Sequence, residues 1–332
     1  MNLTKKILLL SALLACPMLF ARVNISLRLN RVTYMQYEPV FACVTLRNDT
    51  GRALLFGKDA RMNGKILFDL RNSKGRQVAR IANNEINVTG LMLAPGEVKN
   101  MIIPVQKHYD IDQTGTYTIA AYISHSLLPE TYQSASCSFR VEPGITVWER
   151  TVGLPDLDGN SREKVKYRTY SMRTLTESSS KYYYLRVEDK THVYGVMRVG
   201  QVIGREKFQV EVDMLSRIHL LMPLSPRIFH YLTFSLDGLN TANSYWRTSE
   251  TIPMLYRDEK TGKVTRIGGV EAKPGIDFKD PDAGKLTATK LLDQNGRSVY
   301  RDRAPKPWKD SGIVDLGKGL DIAPKNGESD DE

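Results

Sequence analysis

The sequence predicts an all-β protein with two domains, and three observations predict it. First, apolar side chains recur at every second position in short runs, as at Val40, Ala42 and Val44, which is the period of a strand with one buried face. Second, clusters of Gly, Pro, Asn and Asp separate these runs at turns. Third, the chain has 332 residues, a length that favours two domains over one.

The first 21 residues are expected to be a signal peptide. Lys5 and Lys6 precede an apolar stretch over residues 7–16 that is too short to cross a bilayer permanently. Ala21 supplies a small residue before the cut, so the mature chain is predicted to begin at Arg22. The protein is therefore expected to be exported to the periplasm, the cell envelope or the medium. No later apolar run approaches the roughly 18 residues of a transmembrane helix.

A competing cleavage site ends at Cys16. The motif over residues 13–16 is similar to the lipobox of bacterial lipoproteins, in which the cysteine is lipidated and becomes the first residue. Residues 17–20 are stiff and apolar, whereas lipoproteins usually begin with a polar tether. The cut after Ala21 is therefore favoured, and lipid anchoring at Cys16 stays an alternative.

Residues 22–144 are predicted to form the first domain. After several alternating runs, Asp112, Gly115 and Tyr117 lead into the strand that contains Ile119. This pattern resembles the tyrosine corner of immunoglobulin-like (Ig-like) sandwiches, where the tyrosine hydroxyl bonds to the chain upstream. The first domain thus resembles the Ig-like modules of bacterial exported and cell-surface proteins, including the type found in the intracellular proteinase-inhibitor family. The resemblance implies about seven strands and says little about function, because such modules serve as spacers, adhesins, inhibitors and enzyme appendages.

Two cysteines remain after the predicted signal peptide, Cys43 and Cys137. Export would permit a disulfide between them. Alternation opposes the pair, because the buried face that carries Ala42 and Val44 turns Cys43 outward, while Cys137 shares a face with Phe139. Two unpaired thiols are therefore favoured, and a bridge stays the alternative.

Residues 145–280 are predicted to form a second antiparallel β domain. Strand-like runs follow a polar stretch over residues 154–163, and several hairpins place an Asp before the returning strand. These hairpins resemble the blades of sialidase-like propellers, but a closed propeller needs at least four blades of about 40 residues each. A meander or a second sandwich is therefore expected. Residues 281–332 are polar and are expected to form a largely disordered tail.

The formal net charge of +10 is a mild excess spread over both domains. Without a cluster of Lys and Arg, it predicts a solvated surface rather than a nucleic-acid-binding stripe. Weak attraction to anionic glycans or lipid headgroups is compatible with it.

No motif in the sequence predicts a cofactor, and no metal site is expected. Residues 156–160 are similar to part of a calcium loop but lack its later glutamate, which favours an ordinary linker. If residues 223–226 form a four-residue hairpin loop, His219 and His230 become direct cross-strand partners. Metal sites need three or four ligands, so two half-buried sheet histidines are the favoured interpretation.

The candidate binding residues are Tyr182, Tyr184, Arg186 and Tyr194. Alternation along their strand is expected to bury Tyr183 and to expose its two tyrosine neighbours together with the arginine. Exposed aromatic rings beside arginines suit stacking on sugar rings or docking of a protein. The alternative is that the tail or the first domain covers this face, which would place the tyrosines in a core.

Three functions follow as hypotheses. The favoured one is a non-catalytic exported binding or envelope-associated protein, whose partner is a glycan or an envelope protein. The alternative from another class is a carbohydrate-active hydrolase of the sialidase-like type, supported by the hairpins and the Tyr/Arg face. The third is a proteinase inhibitor, implied by the resemblance of the first domain alone.

Overall fold

The computed structural model describes residues 22–57, 59–81, 85–154, 166–204 and 207–279. The predictions on the signal peptide, on Cys16 and Ala21, on the loop at 156–160 and on the tail over 281–332 lie outside the described residues.

The described residues form an all-β protein, as predicted. The strands of the first half are β1 (Val23–Leu29), β2 (Thr33–Met35), β3 (Phe41–Asn48), β4 (Leu54–Leu55), β5 (Gly64–Asn72), β6 (Met92–Leu93), β7 (Val98–Pro104), β8 (Gly115–His125), β9 (Tyr132–Gln133) and β10 (Cys137–Glu142). Two short 3-10 helices, Ala60–Met62 and Val105–Lys107, connect some of them.

Two sheets face each other in the first half. One sheet has the strand order β1-β3-β7, and the other has the order β2-β10-β8-β5, with β9 beside β8. Their facing side chains make one continuous apolar core, in which Ala42, Val44, Ile66 and Ile119 are at most 1 % exposed. These residues are the alternating positions that the sequence assigns to buried strand faces. This half is hereafter the first sandwich, and its Ig-like assignment stays a prediction.

Tyr117 makes the hydrogen bond that the sequence pattern predicts. Its hydroxyl donates to the carbonyl oxygen of Gln113, four residues upstream, at 2.7 Å. Its ring stacks on Phe139 of β10, with centroids 5.3 Å apart and planes 14° apart. The residue therefore ties the loop before β8 to the core and to the neighbouring strand.

Cys43 and Cys137 are both free thiols in this structure. Cys43 lies on the opposite face of β3 from Ala42 and Val44, as predicted, yet its exposure is only 7 %. Cys137 is half-buried against the first core, and its thiol donates to the carbonyl oxygen of Leu27 at 3.3 Å.

The second half contains eleven further strands within its described residues. They are β11 (Ile145–Gly153), β12 (Tyr167–Glu177), β13 (Ser180–Glu188), β14 (Val193–Gln201), β15 (Gln209–Val212), β16 (Ile218–Ser225), β17 (Ile228–Phe234), β18 (Asn240–Arg247), β19 (Met254–Arg257), β20 (Val264–Ile267) and β21 (Val270–Ala272).

Two antiparallel sheets enclose the core of the second half, hereafter the second sandwich. One has the order β11-β12-β13-β14, and the other has the order β15-β16-β17-β18-β21. Their inner faces meet at Met172, Leu185, Leu220 and Phe234, which are at most 3 % exposed. Period-two alternation again assigns these positions, since Leu185 lies between two residues of the opposite face.

Strands β19 and β20 pair with each other as a separate hairpin beside the second sandwich. The side-chain oxygen of Gln209, on β15, accepts a hydrogen bond at 2.8 Å from the backbone N–H of Leu255, on β19. Val264 is 5 % exposed at the start of β20. The hairpin therefore packs against the outer face of the sheet that contains β15 and β16.

Candidate functional site

The two sandwiches meet where the turn after β2 touches the outer face of the sheet β11-β12-β13-β14. On β13, Tyr183 and Leu185 point into the second core, so the residues between them point outward. Met35 of the first sandwich forms a separate buried apolar cluster with Tyr184, Leu175 and Val196 of this outer face. The contact, hereafter the joint, therefore has its own small core.

A buried network of charged groups lies beside that small core. The Arg31 guanidinium pairs with Glu38 of its own sandwich, and it reaches Glu177 of the second sandwich at 3.3 Å. It also donates to the Tyr184 hydroxyl at 2.7 Å, and that hydroxyl in turn donates to Glu177. Arg198 approaches the other oxygen of Glu177 at 3.5 Å.

Burial raises the pKa of two groups in this network, Tyr184 and Glu38. It raises the pKa of Tyr184 well above the usual range of a phenol, so the hydroxyl keeps its proton and can donate. It also raises the pKa of Glu38, against the opposing effect of Arg31 and of the Met35 N–H that bonds the carboxylate. The network thus crosses the joint with most of its polar groups bonded to each other.

A more open polar group continues the same outer face away from the small core. The carboxylate of Glu188 lies between two guanidiniums, at 2.5 Å from Arg186 and 4.0 Å from Arg173. The side chains of Arg173 and Arg186 are 17 % and 12 % exposed. Burial, followed by the charge of Arg186, lowers the pKa of Arg173, while Glu188 and the exposed Glu149 oppose this effect.

Tyr37 completes this group from the first sandwich. The guanidinium carbon of Arg186 lies 4.9 Å from the centroid of the Tyr37 ring. Tyr37 has a φ of +67°, a left-handed conformation that costs a residue with a Cβ atom. The joint site, defined as Tyr37, Arg173, Arg186 and Glu188, therefore includes a backbone held in a strained form.

The joint site has hydrogen-bonding capacity left over. Arg173 donates to the Pro143 carbonyl oxygen at 3.0 Å and to the Ser171 hydroxyl at 3.3 Å. The Nε atom of Arg186 is buried and has no hydrogen-bond partner among the described residues. A guanidinium presents several N–H donors in a planar fork that matches a carboxylate, so the pair can accept an acidic group.

Three of the four predicted binding residues lie at the joint, but they are not exposed together. Tyr184 is fully buried at 0 % exposure, so the prediction that it is exposed is wrong. Tyr182 is half-buried beneath the Arg198 guanidinium, whose carbon lies 3.4 Å from its ring centroid. Arg186 is the predicted residue that belongs to the joint site. Tyr184 is buried because the first sandwich covers this sheet face. The sequence analysis gave such covering by the first domain as the alternative.

Tyr194, the fourth predicted residue, lies apart from the joint. It packs against the second core, and its hydroxyl donates to Asp189 at 2.5 Å. The Arg168 guanidinium lies over its ring at 3.4 Å. The register shift between Val187 and Glu188 places Tyr194 on a different face from Arg198.

The histidine pair expected from the sequence does not form. His219 is the partner of Thr233, and His230 is the partner of Met222, because the loop between β16 and β17 is shorter than four residues and a register shift precedes it. Instead, His219 bonds to Asp213 and to Tyr231. The sequence pattern placed an Asp before this returning strand but did not predict the hydrogen bonds. Tyr37, Arg173 and Glu188 were also missed, although alternation alone places Arg173 and Glu188 on the face of Arg186.

The fold and the site define an all-β protein of two joined sandwiches with a charged site at their contact. No family model matches the chain, and no curated protein matches it. Across the described ranges, no group of three or more His, Cys, Asp or Glu side chains is arranged to hold a metal ion. In the same part of the chain, no helix has the length and hydrophobicity to span a membrane.

Proposed function

We propose that this protein is an exported binding protein whose joint site holds an acidic sugar of a cell-envelope glycan. The observation that carries the proposal is that two largely buried guanidiniums, Arg173 and Arg186, share the carboxylate of Glu188. The predicted signal peptide supports export. An acidic sugar has a carboxylate for the guanidinium forks and a ring face for the side chain of Tyr37.

Glu188 sets the strength of such a site, because its carboxylate occupies the donors that a ligand would use. A ligand carboxylate would compete with Glu188 for the guanidinium of Arg186. Removal of the Glu188 charge should therefore tighten binding rather than weaken it.

Titration of the mature protein with oligogalacturonate, an acidic glycan, tests the proposal, with neutral dextran as the second probe. Arg173→Gln and Arg186→Gln should each weaken oligogalacturonate binding at least about tenfold, the effect of losing one charge-assisted hydrogen bond. Glu188→Gln should tighten it. Binding of the wild type should fall as salt is raised, since the contact is between charges.

Arg140→Gln is the matched control, because Arg140 and Glu142 form an i, i+2 ion pair of the same kind on the exposed face of β10 in the first sandwich. This variant should bind as the wild type does. The proposal is wrong if dextran binds as tightly as oligogalacturonate, or if both joint-site arginine variants keep wild-type affinity while their melting temperatures show that they are folded.

A further inference from the structure

A chain of three hydrogen-bonded side chains lies on the opposite outer face of the second sandwich, next to the β19–β20 hairpin. It begins at Asp213, which closes the turn between β15 and β16. The Asp213 carboxylate accepts from the backbone N–H groups of Leu215 and Arg217, at 3.0 and 2.9 Å. It also accepts from the Arg217 side chain at 2.7 Å and from His219 at 3.2 Å.

These donors keep Asp213 ionised. Its side chain is 3 % exposed. Burial alone would raise the pKa of Asp213, but the bonds from Arg217 and His219 hold that pKa below its ordinary value. A carboxylate can only accept hydrogen bonds, so the Nε2 atom of His219 must carry the proton between the two residues.

The tautomer of His219 is therefore fixed. Burial lowers the pKa of His219, against the effect of Asp213, so the imidazole is neutral near neutral pH. With its proton on Nε2, the ring presents a lone pair on Nδ1. The Tyr231 hydroxyl lies 2.7 Å from Nδ1 and donates its proton there.

Tyr231 is the last member of this hydrogen-bonded series and is half-buried on β17. Ser244 is its cross-strand partner on β18, and the Ser244 hydroxyl accepts from the Trp246 indole at 2.8 Å. The Arg266 guanidinium lies over the Trp246 ring at 3.3 Å. Burial lowers the pKa of Arg266.

Charged side chains of the turn and of β15 lie beside the imidazole. Asp213 and Arg217 face it from the turn, and Glu211 is its cross-strand partner on β15. Arg266 of β20 lies over Trp246, two residues after the cross-strand partner of Tyr231. The turn between β15 and β16 needs only Asp213 to close it. The hydrogen-bonded series continues beyond the turn, from this buried carboxylate through the neutral His219 to the half-buried hydroxyl of Tyr231. Acid, base and hydroxyl in this order activate a nucleophile.

We propose that Tyr231 is a nucleophile that takes acyl groups from carboxylic esters, with His219 as its general base and Asp213 as a positioning residue. The phenol oxygen attacks the ester carbonyl carbon while its proton passes to Nδ1 of His219. The tetrahedral intermediate collapses, the carbon–oxygen bond to the leaving alcohol breaks, and the imidazolium returns the proton to that alcohol. Water activated by His219 then hydrolyses the Tyr231 ester, which releases the acid and restores the phenol.

This activity is independent of the joint site, because it uses the other sheet of the second sandwich. Incubation of the mature protein with 4-nitrophenyl acetate, followed by peptide mass mapping, tests it. Among the 16 tyrosines of the chain, acetylation should concentrate on Tyr231, with one equivalent of 4-nitrophenol released quickly. His219→Gln keeps a hydrogen-bonding side chain but has no base, and it should slow this labelling at least about 100-fold.

The matched control is Tyr256→Phe, which removes a 52 % exposed tyrosine from the hairpin and should leave the labelling unchanged. The wild type gives a second measurement that needs no variant. The rate should rise as His219 loses its proton below about pH 6.5 and then level off, whereas an unassisted phenol gains reactivity up to about pH 10. Labelling that is spread over other tyrosines, or a rate that keeps rising above pH 8, would overturn the proposal.

Discussion

Arg31 is the residue on which the charges at the joint depend. Its guanidinium contacts Glu38 from one sandwich and Glu177 from the other, with its own side chain 17 % exposed. Two carboxylates held in so little water are unfavourable unless a cation lies between them. The joint is therefore sensitive to the loss of this one side chain.

Arg31→Met should lower the free energy of unfolding by about 3–5 kcal/mol, because it leaves Glu38 buried without a cation and removes one of the two cations beside Glu177. Urea unfolding at neutral pH measures the change. Arg71→Met is the matched control, since the Arg71 side chain is 55 % exposed and pairs with Asp69 on the surface. That variant should lose no more than about 1 kcal/mol. An equal loss of unfolding free energy in the two variants would mean that the joint network stabilises the protein no more than a surface ion pair does.

At the scale of single elements, the hydrogen bond of Tyr117 shows how a strand start is fixed. The hydroxyl ties the first residues of β8 to the loop before them, and the ring packs on β10. Burial raises the pKa of Tyr117 to about 12, so the phenol stays a donor at every pH at which the protein is normally studied.

Tyr117→Phe should cost about 1 kcal/mol of unfolding free energy, the usual net value of one buried hydrogen bond, without a change in fold. Thermal unfolding and circular dichroism measure the two quantities. Tyr167→Phe, at a 54 % exposed position on β12, should leave the melting temperature unchanged. A melting temperature for Tyr117→Phe that equals the wild type would remove the stabilising role of the bond.

The elements were predictable because their signal is local. Alternation at Ala42 and Val44 identified β3 and its buried face, since one strand carries the whole pattern. The exposure of Tyr184 could not be read in this way, because Met35, from a strand more than a hundred residues earlier, covers it. The partner of His219 depended on the length of one loop and on one register shift, and periodicity reports neither.

At the scale of the whole molecule, Gly144 connects the two sandwiches. It lies between β10 and β11 with a φ of +67°, a conformation that favours glycine. A Cβ atom there would lie 2.5 Å from the Met35 side chain and 3.0 Å from the Thr174 carbonyl oxygen. Met35 and Thr174 belong to different sandwiches, so a side chain at this position would push into the joint.

Gly144→Ala should therefore lower stability by more than Gly75→Ala, which has a similar φ of +71° but open space around its Cβ position. The shared cost of the backbone conformation is about 1 kcal/mol, and the clash at the joint should add about 1–3 kcal/mol. Urea unfolding measures both. Limited proteolysis between the sandwiches should be faster in Gly144→Ala alone. Equal losses in the two glycine variants would show that the close approach at the joint is not strained.

The pairing of Arg31 with Glu38 also bears on the order in which the chain assembles. Both residues belong to the half that the ribosome makes first, so they can neutralise each other before residues 167–201 exist as a sheet. In the nascent first sandwich, Met35 is then still uncovered, but Arg31 and Glu38 beside it are already paired. Glu177 and Tyr184 arrive later at a guanidinium that is already held in place, which favours correct docking over capture by another nascent chain.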